Sequence, residues 1–438
     1  MSGPLIAGAA KMAITPPIGV DLCGYGGRPS GSIGVHDELC AGAIFVCDGS
    51  DCAVIITADL IGLSAAEVAE VRALVHELTD VPPSHVLVSC THTHAGPATD
   101  CIAHLGYPDR PYLNVLKRQL ASLARMARDH ARPALFGFAR QAVSVGANRR
   151  LTHEGNIVMA PNADGALAPY VDVWSFDDAV SGRPLARLFS HAAHAVTMGG
   201  DNLLISADWP GAAQRYAERI FPGAPALFAQ GCCGDINSDP RGSFEVVERQ
   251  GQIMAGAVAQ ADARAERRAE VRVAAASETV QLPLLDPPPV AEARARVEYA
   301  TGLRDSEKGK VNRGFEMMYA GQVKWAERIL ELAEAGATGR TIPYEVQAIS
   351  LGDAAWVGLP GEVFVEYALN IDRASPFAQT TVAAYANDNP GYVPTAAAYL
   401  EGGYEVNDAI QFYGDMMMAP VSEEIILAAA GRVLAAVR

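Results

Sequence analysis

The chain has 438 residues, of which 50% are apolar and 19% are charged, and its formal net charge is -16. This composition excludes a disordered chain, and the acidic balance argues against nucleic acid or an anionic membrane as partner, because both require a basic surface. The sequence begins without a leader pattern and contains no apolar run of membrane-spanning length, so we expect a cytoplasmic location. The acidic balance is also ordinary for soluble proteins of bacterial type.

The first half of the chain alternates strand-like and helix-like segments. Apolar runs rich in β-branched residues predict strands at 41–47, 52–60 and 85–90. Ser64 and Glu67 form a capping-box pattern ahead of an apolar face, which predicts a helix over 64–80. Amphipathic patterns predict further helices, at 112–131 and 210–221. Alternation of this kind is typical of α/β proteins.

Composition changes near residue 283, where prolines precede two charged amphipathic segments. We expect residues 286–338 to form a helical insertion, or an exposed helical hairpin with a solvated surface. Strand-like runs resume at 342–371 and 380–400, and residues 422–438 predict a final helix.

The predicted fold is a single large mixed α/β domain over residues 1–438, with the helical insertion at about 286–338. The eight cysteines lack zinc-finger spacing, and the adjacent Cys232 and Cys233 are poorly placed to bond to each other. Most of the cysteines lie in apolar segments, so we expect them to be small core residues.

Two histidines follow the predicted strand at 85–90, in the segment CTHTHAGPATD. Ligands and catalytic groups collect where strands run out into loops, and neutral imidazole is the commonest metal ligand. His92 and His94 are therefore candidates for a metal site. In the alternative, one histidine ends the strand and the other faces solvent.

A second pair, His191 and His194, lies in FSHAAHAVTMGGDNLLISADWPG. These two share a face only in a helix, whereas the β-branched run after them favours the end of a strand. A single buried histidine bonded to a backbone carbonyl is the alternative to a ligand. Downstream, Glu362 is either a helix first-turn residue or a site carboxylate. Tyr392 and Tyr404 lie in a loop rich in turn residues.

Taken together, these segments resemble the N-terminal catalytic domain of the neutral/alkaline (non-lysosomal) ceramidase family and its bacterial relatives. The matching segments occur in the family's order and span nearly the whole chain. They are AITPPIGVDLCGYGGRPS, ITADLIG, VSCTHTHAGP, GANRR, HAVTMGGDNLLISADWPG, QGCCGDIN, GLPGEVF and NPGYVPTAAAYLEGGYE.

The resemblance implies one zinc ion, Zn²⁺, with an open position for water or substrate. Its implied ligands are His92, His194, Glu362 and Tyr392, a donor set that suits zinc. The resemblance places His94 beside the reaction centre, either as a group that supports a metal ligand or on the side of the developing oxyanion.

Two further catalytic roles are implied by the resemblance. Arg149, which follows Asn148 in the family's Asn-Arg element, would bind a developing oxyanion or a substrate carboxylate; the alternative is a surface arginine in a loop. Tyr404 would donate a proton or a hydrogen bond to the tetrahedral intermediate; the alternative is a packed aromatic ring.

The chain departs from the family at the serine of a Gly-Asp-x-Ser motif. The segment here is GDIN, so Asn237 stands at this catalytic position, while Ser238 is shifted by one residue and would point elsewhere in an extended segment. We therefore expect a metal-activated water to act, because zinc lowers the pKa of bound water to about 7. Asp235 or Asp208 could take or orient the proton, or either could be structural.

Secreted ceramidases carry a leader and a C-terminal β-sandwich domain, and the sequence here has neither. We therefore expect a small soluble substrate rather than a membrane lipid. The predicted function is metal-dependent amide hydrolysis, that is, zinc-dependent cleavage of a C–N bond. A zinc esterase or lactonase and a non-catalytic zinc- or ligand-binding relative are the alternatives. The expected partner is a small-molecule substrate, without nucleic acid or membrane, and the sequence permits a homo-oligomer.

Overall fold

Two β-sheets packed face to face form the centre of the fold, and helices cover the outer face of each sheet. The computed structural model describes residues 4–414 and 416–438. The larger sheet has eight strands and the smaller has four, and both mix parallel with antiparallel pairs. This arrangement confirms the predicted mixed α/β class.

The elements are numbered along the described residues. The strands are β1 (Ile6–Ala13), β2 (Gly34–Val35), β3 (Cys40–Cys47), β4 (Cys52–Ala58), β5 (Val86–Cys90), β6 (Arg132–Ala142), β7 (Gly146–His153), β8 (Asn156–Asn162), β9 (Tyr170–Asp178), β10 (Pro184–His191), β11 (Leu204–Ile205), β12 (Ala226–Gln230), β13 (Ile236–Ser238), β14 (Val273–Pro283), β15 (Thr341–Leu351), β16 (Ala354–Gly358), β17 (Glu362–Val363), β18 (Gln379–Ala383) and β19 (Tyr392–Val393). The helices are α1 (Ala65–Thr79), α2 (Arg110–Asp129), α3 (Asp208–Ile220), α4 (Phe244–Arg264), α5 (Val290–Glu307), α6 (Arg313–Glu334), α7 (Val365–Ala374), α8 (Ala396–Glu401), α9 (Tyr404–Asn407) and α10 (Ser422–Val437).

The strand order is β12-β10-β9-β6-β1-β3-β4-β5 in the larger sheet and β14-β15-β16-β18 in the smaller one. β4 and β5 run parallel at one edge of the larger sheet, and β10 and β12 run parallel at the other. These two edges approach each other, since Gln230 at the end of β12 donates from Nε2 to the carbonyl of Thr91, just after β5, at 3.0 Å. The polar loops that follow these strands are therefore gathered in one place.

Side chains of the buried strands alternate between the two faces of a sheet. In β3, Ile44 and Val46 face the smaller sheet, whereas Phe45 packs on the helix side. Trp174 of β9 and Trp356 of β16 meet between the sheets, with ring centroids 5.2 Å apart. Each large apolar side chain buried in this way contributes about 1.5 to 3 kcal/mol to stability.

Helices α1 to α4 cover the larger sheet, and α7 and α10 cover the smaller one. As predicted, α1 begins with a capping box: Ser64 Oγ accepts from the Glu67 N–H, and the Glu67 carboxylate accepts from the Ser64 N–H at 2.8 Å. These reciprocal bonds satisfy two N–H groups that lack partners within the helix. None of the described helices is long and apolar enough to cross a membrane.

The predicted helical insertion consists of α5 and α6, which form a hairpin. Arg294 in α5 is 2.9 Å from Glu334 at the end of α6, so the two helices run antiparallel. The hairpin surface is only partly solvated, because the start of α6 packs against residues 21–28. There Asn312 Nδ2 donates to the Gly27 carbonyl at 2.7 Å. The hairpin therefore supports a loop that borders the candidate site.

The cysteines are of two kinds. Cys47 and Cys52 form a disulfide across the paired ends of β3 and β4. The sequence pattern predicts small core cysteines and does not predict this bond. The remaining cysteines are free, as expected for core residues, and all but Cys40 are fully buried.

Candidate metal centre

The candidate metal centre lies where strand ends of both sheets meet. The loop after β5 carries His92 and His94, and the loop after β10 carries His194. Glu362 begins β17, which runs parallel to β19 and sets Glu362 in register with Tyr392. The fold thus gathers the four predicted metal ligands, together with His94, at one place.

The backbone and the ring of His92 are both held in a fixed orientation. Its φ of 58° lies in the left-handed region, which costs a non-glycine residue about 1 to 3 kcal/mol and is found mainly at functional sites. Nδ1 is 2.6 Å from the Ile61 carbonyl, which can only accept, so Nδ1 carries the hydrogen. Nε2 therefore keeps a lone pair for a ligand.

His194 is oriented in the same way, and His191 is not. His194 Nδ1 donates to the Ile236 carbonyl at 3.0 Å, which leaves its Nε2 3.1 Å from Glu362 Oε2. Both ring nitrogens of His191 are occupied: Nδ1 donates to the Tyr170 carbonyl at 2.8 Å, and Nε2 accepts from a backbone N–H at 3.4 Å. Of the two histidines, only His194 faces the site.

His94 supplies a third nitrogen. Its Nε2 is 3.1 Å from His92 Nε2, and its Nδ1 has no hydrogen-bond partner among the described residues. One nitrogen from each of His92, His94 and His194 lies within 4.8 Å of the others, an arrangement that can hold a metal ion. Burial and the neighbouring histidines lower the pKa of His94 well below its usual value, and burial lowers the pKa of His194 to about 4. Both rings are therefore neutral, the form that binds metal.

The Glu362 carboxylate adds an oxygen donor to these nitrogens. Oε2 is 3.5 Å from His92 Nε2 and 3.1 Å from His194 Nε2. Burial alone would raise the pKa of this carboxyl, but His92 and His194 outweigh burial and hold the pKa well below its usual range. Because α7 begins only at Val365, Glu362 is not a helix first-turn residue, and its carboxylate faces the candidate site.

Two tyrosines that the sequence does not single out contact this carboxylate. The Tyr413 hydroxyl donates to Glu362 Oε1, and the Tyr385 hydroxyl lies 3.4 Å from Oε2. Tyr385 also stacks on His92, with ring centroids 4.0 Å apart and planes 19° from parallel. The position of Tyr385 just after the buried strand β18 could have marked it as a site residue, because other polar residues of this site also follow buried strands. No local pattern marks Tyr413.

Arg149 links the other predicted catalytic residues. Its Nη2 donates to the Tyr392 hydroxyl at 2.9 Å, its Nη1 to Asn237 Oδ1 at 3.0 Å, and its Nε to Glu405 Oε1 at 2.8 Å. Arg149 is buried, which excludes the alternative of a surface loop arginine. The Tyr404 and Tyr392 rings lie 5.9 Å apart. Burial raises the pKa of Tyr392 well above its usual value, although Arg149 opposes this.

The two aspartates considered as proton acceptors are bound to neighbouring loops. Asp235 Oδ1 accepts from the Val365 N–H, and Oδ2 accepts from Asn148 Nδ2, both at 2.9 Å. Burial, and then the charge of Glu366, raise the pKa of Asp235 to about 8. The Asp208 carboxylate accepts from three backbone N–H groups, at 3.2, 3.1 and 2.7 Å. Both carboxylates hold loop backbone in place around the site.

Asn237 and Ser238 lie on β13 and point to different surroundings, as neighbours on a strand do. Asn237 accepts from Arg149, whereas the buried Ser238 hydroxyl has no hydrogen-bond partner among the described residues. Ser238 therefore does not reach the position that Asn237 occupies.

Half-buried side chains mark the open side of the centre. Each keeps part of its surface exposed, while His92, His194 and Glu362 are closed off from solvent. The side chains through which the centre is reached from solvent are His94, Asn237, Tyr404, Tyr413 and Tyr25.

No protein-family profile matches the chain, and no curated protein sequence does. Solved structures do match. Neutral ceramidase from Pseudomonas aeruginosa aligns with a TM-score of 0.76 and 20% sequence identity, over 100% of this chain and 75% of that one. A ceramidase described as complexed with C2 aligns with the same TM-score and identity, over 99% of this chain and 75% of that one. The chain therefore has the ceramidase fold that the sequence resemblance implies.

Proposed function

We propose that this chain is a zinc-dependent hydrolase that cleaves a C–N amide bond in a small soluble substrate. One observation carries the proposal: the Nε2 atoms of His92 and His194 meet the Glu362 carboxylate, while both Nδ1 atoms donate to backbone carbonyls. Backbone acceptors of this kind fix the tautomer of metal-binding histidines. The matching structures are described as ceramidases, and the sequence resemblance to that family implies an amide as substrate.

In this proposal His92, His194 and Glu362 hold the ion. Two side chains are candidates for the fourth ligand. His94 is a candidate because its Nε2 lies close to His92 Nε2. Tyr392 is a candidate because the sequence resemblance implies it. A bound zinc ion supplies Lewis acidity, which polarises a carbonyl and lowers the pKa of water.

The remaining residues act on the substrate. The Arg149 guanidinium lies beside Tyr392 and Asn237. There it stabilises the negative charge that develops on the carbonyl oxygen of the substrate. Burial raises the pKa of Tyr404 far above neutrality, so its hydroxyl stays protonated and donates a hydrogen bond. Asn237 accepts and donates hydrogen bonds but is no nucleophile, so the chain does not rely on an acyl-enzyme at this position.

Metal analysis and a hydrolysis panel test this function. The panel pairs amides with esters of the same acyl and alkyl groups, with and without a chelator. We expect about one zinc per chain and amide turnover that the chelator abolishes and added zinc restores. Turnover of esters alone would favour the esterase or lactonase. Bound zinc without any turnover would favour the ligand-binding relative.

A further inference from the structure

Arg241 stands at the open side of the candidate metal centre. It follows β13, the strand of Asn237, and two hydrogen bonds fix its guanidinium. Nε donates to the Val196 carbonyl at 2.7 Å, and Nη2 donates to the Tyr25 hydroxyl at 2.7 Å. Val196 belongs to the loop of His194, so the guanidinium is tied to the backbone that carries a proposed metal ligand.

Tyr25 places this guanidinium next to His94. The two rings meet edge-on with centroids 4.9 Å apart, and the Tyr25 hydroxyl donates to the Met198 carbonyl at 3.1 Å. Arg241 is thus one aromatic ring away from a half-buried histidine of the centre. Its side chain is exposed, and no carboxylate of the described residues forms an ion pair with it. Nη1 is left to solvent or a ligand.

A second cation, Arg28, lies on Tyr25 and also lacks a carboxylate partner within the described chain. Its guanidinium carbon is 5.3 Å from the Tyr25 ring centroid, and only 5% of the residue is exposed. It donates to the carbonyls of Cys23 at 2.8 Å, His94 at 2.7 Å and Asn202 at 3.3 Å. A buried cation without a counter-ion is costly, so Arg28 favours an anion bound near Tyr25, and the exposed Arg241 offers free N–H groups to that anion.

The neighbouring carboxylates, Asp201 and Asp208, form no ion pair with Arg28 or Arg241 among the described residues. The Asp208 carboxylate already accepts from the N–H groups of Thr197 and Met198, at 3.2 and 3.1 Å. Arg149, a third cation of this region, is paired with Glu405 at 2.8 Å. The open side of the site therefore presents two cations that form no ion pair within the described chain, although the net charge of the chain is -16.

We infer that the substrate carries a carboxylate close to its scissile amide, as an N-acyl amino acid does, and that Arg241 binds this carboxylate. The inference rests on the proposed amide hydrolysis and names its substrate class. Arginine forms paired, charge-assisted hydrogen bonds with carboxylates. Nη1 and the second N–H of Nη2 can form such a pair while Val196 and Tyr25 stay bound. A neutral lipid amide would offer no anion to the Arg241 guanidinium.

The test uses the zinc-loaded full chain and pairs of amides that differ in one group. Each pair is an N-acyl-alanine and the N-acyl-isopropylamine in which a methyl group replaces the carboxylate, with acyl groups from acetyl to dodecanoyl. We expect wild type to prefer the anionic member in kcat/KM. Arg241→Gln should reduce this preference about 10- to 100-fold, chiefly by raising KM for the anionic member. Arg241→Lys should retain part of it.

Arg183→Gln is the matched control, because Arg183 is an exposed arginine between β9 and β10, away from the site. It should keep the wild-type preference, and all variants should hold equal zinc. Equal kcat/KM for both members in wild type, or an unchanged preference in Arg241→Gln, would overturn the inference and leave amide hydrolysis standing.

If no amide is turned over, the proposed function fails, and ligand-induced stabilisation decides the inference separately. N-acyl-alanine should then raise the Tm of wild type but not of Arg241→Gln. Equal shifts in both proteins, or no shift in either, would overturn it.

Discussion

At the scale of single residues, His92 is the most constrained group of the site. Its left-handed backbone, its bond to the Ile61 carbonyl and its stacking on Tyr385 all fix one ring orientation. A ligand held in this way before the ion arrives loses little conformational freedom on binding. The strained backbone is therefore consistent with a preformed metal site.

Removing either proposed histidine ligand should remove the metal. We expect His92→Ala and His194→Ala each to lose most of the bound zinc, because each deletes one of few donors to the ion. Metal analysis of the purified proteins measures this. His191→Ala is the control and should keep its zinc, since both ring nitrogens of His191 are already bonded. Full occupancy in both ligand variants would refute the proposed shell.

The two loop tyrosines should respond differently to loss of the hydroxyl. Tyr404→Phe should keep zinc and lower kcat about 100-fold or more, because it removes a donor to the oxyanion. Tyr392→Phe should weaken zinc binding, with activity partly restored by added metal, if Tyr392 rather than His94 is the fourth ligand. Zinc titrations of Tyr392→Phe and His94→Ala decide between the two. Wild-type turnover in Tyr404→Phe would exclude its catalytic role.

The sequence identifies some residues of the site and misses others for a physical reason. His92 can be predicted because a strand and a turn flank it locally. Tyr25, Tyr413 and Arg241 reach the centre from segments that only tertiary packing brings together. Tyr25 lies in a segment that carries the resemblance, but no local pattern gives it a role, and nothing local marks Tyr413 or Arg241.

At the scale of elements, a buried carboxylate fastens the α8–α9 segment to the sheet region. Glu405 in α9 lies 2.8 Å from Arg149 and 2.7 Å from Arg150, while Arg150 also donates to the Gly402 carbonyl at 2.8 Å. These bonds hold the helix that begins at Tyr404. The position of the Tyr404 hydroxyl therefore depends on a charge cluster that also holds Arg149.

Removing the buried Glu405 carboxylate should destabilise the fold more than removing the exposed Glu401 carboxylate. Glu405→Ala leaves two buried arginines without their shared partner, so we expect a loss of about 3 to 5 kcal/mol in the free energy of unfolding. Glu401→Ala is the matched control, because its side chain is 53% exposed although it lies 3.1 Å from Arg150. It should cost less than about 1 kcal/mol. Urea denaturation measures both, and equal losses would contradict the argument.

Elements also differ in how well their sequences reveal them. The capping box of α1 is local, and the predicted start is correct. In β3 every residue after Cys40 is buried, so its sequence has no polar alternation to indicate that two different layers cover its faces. The stacked second sheet could not be predicted for that reason.

At the scale of the whole molecule, Asp59 links the larger sheet to α3. It is 2% exposed and accepts from the Cys40 N–H at 2.8 Å and from Gln214 Nε2 at 3.1 Å. Burial is the main cause that raises its pKa to about 6. The folded state therefore binds a proton that the unfolded chain releases nearer pH 4, and this contribution to stability is lost as pH rises toward 6.

Asp59→Asn should remove that pH dependence. Asparagine stays neutral, and Gln214 can turn its amide to offer oxygen to the new NH₂ group. The difference in unfolding free energy, variant minus wild type, should rise between about pH 4 and pH 6, by up to about 3 kcal/mol, and then stay level. Denaturation series at several pH values measure it. A difference that does not change with pH would contradict the role given to burial.

The proposed ligands come from three widely separated stretches of chain, and this has a consequence for biosynthesis. Both histidine loops leave the ribosome long before Glu362, and β17, which carries that carboxylate, has no pairing strand until β19 has emerged. A nascent chain therefore offers imidazoles without their carboxylate. If the proposed shell is right, the ion binds only after β19 has emerged, and it cannot act as a template around which the earlier strands fold.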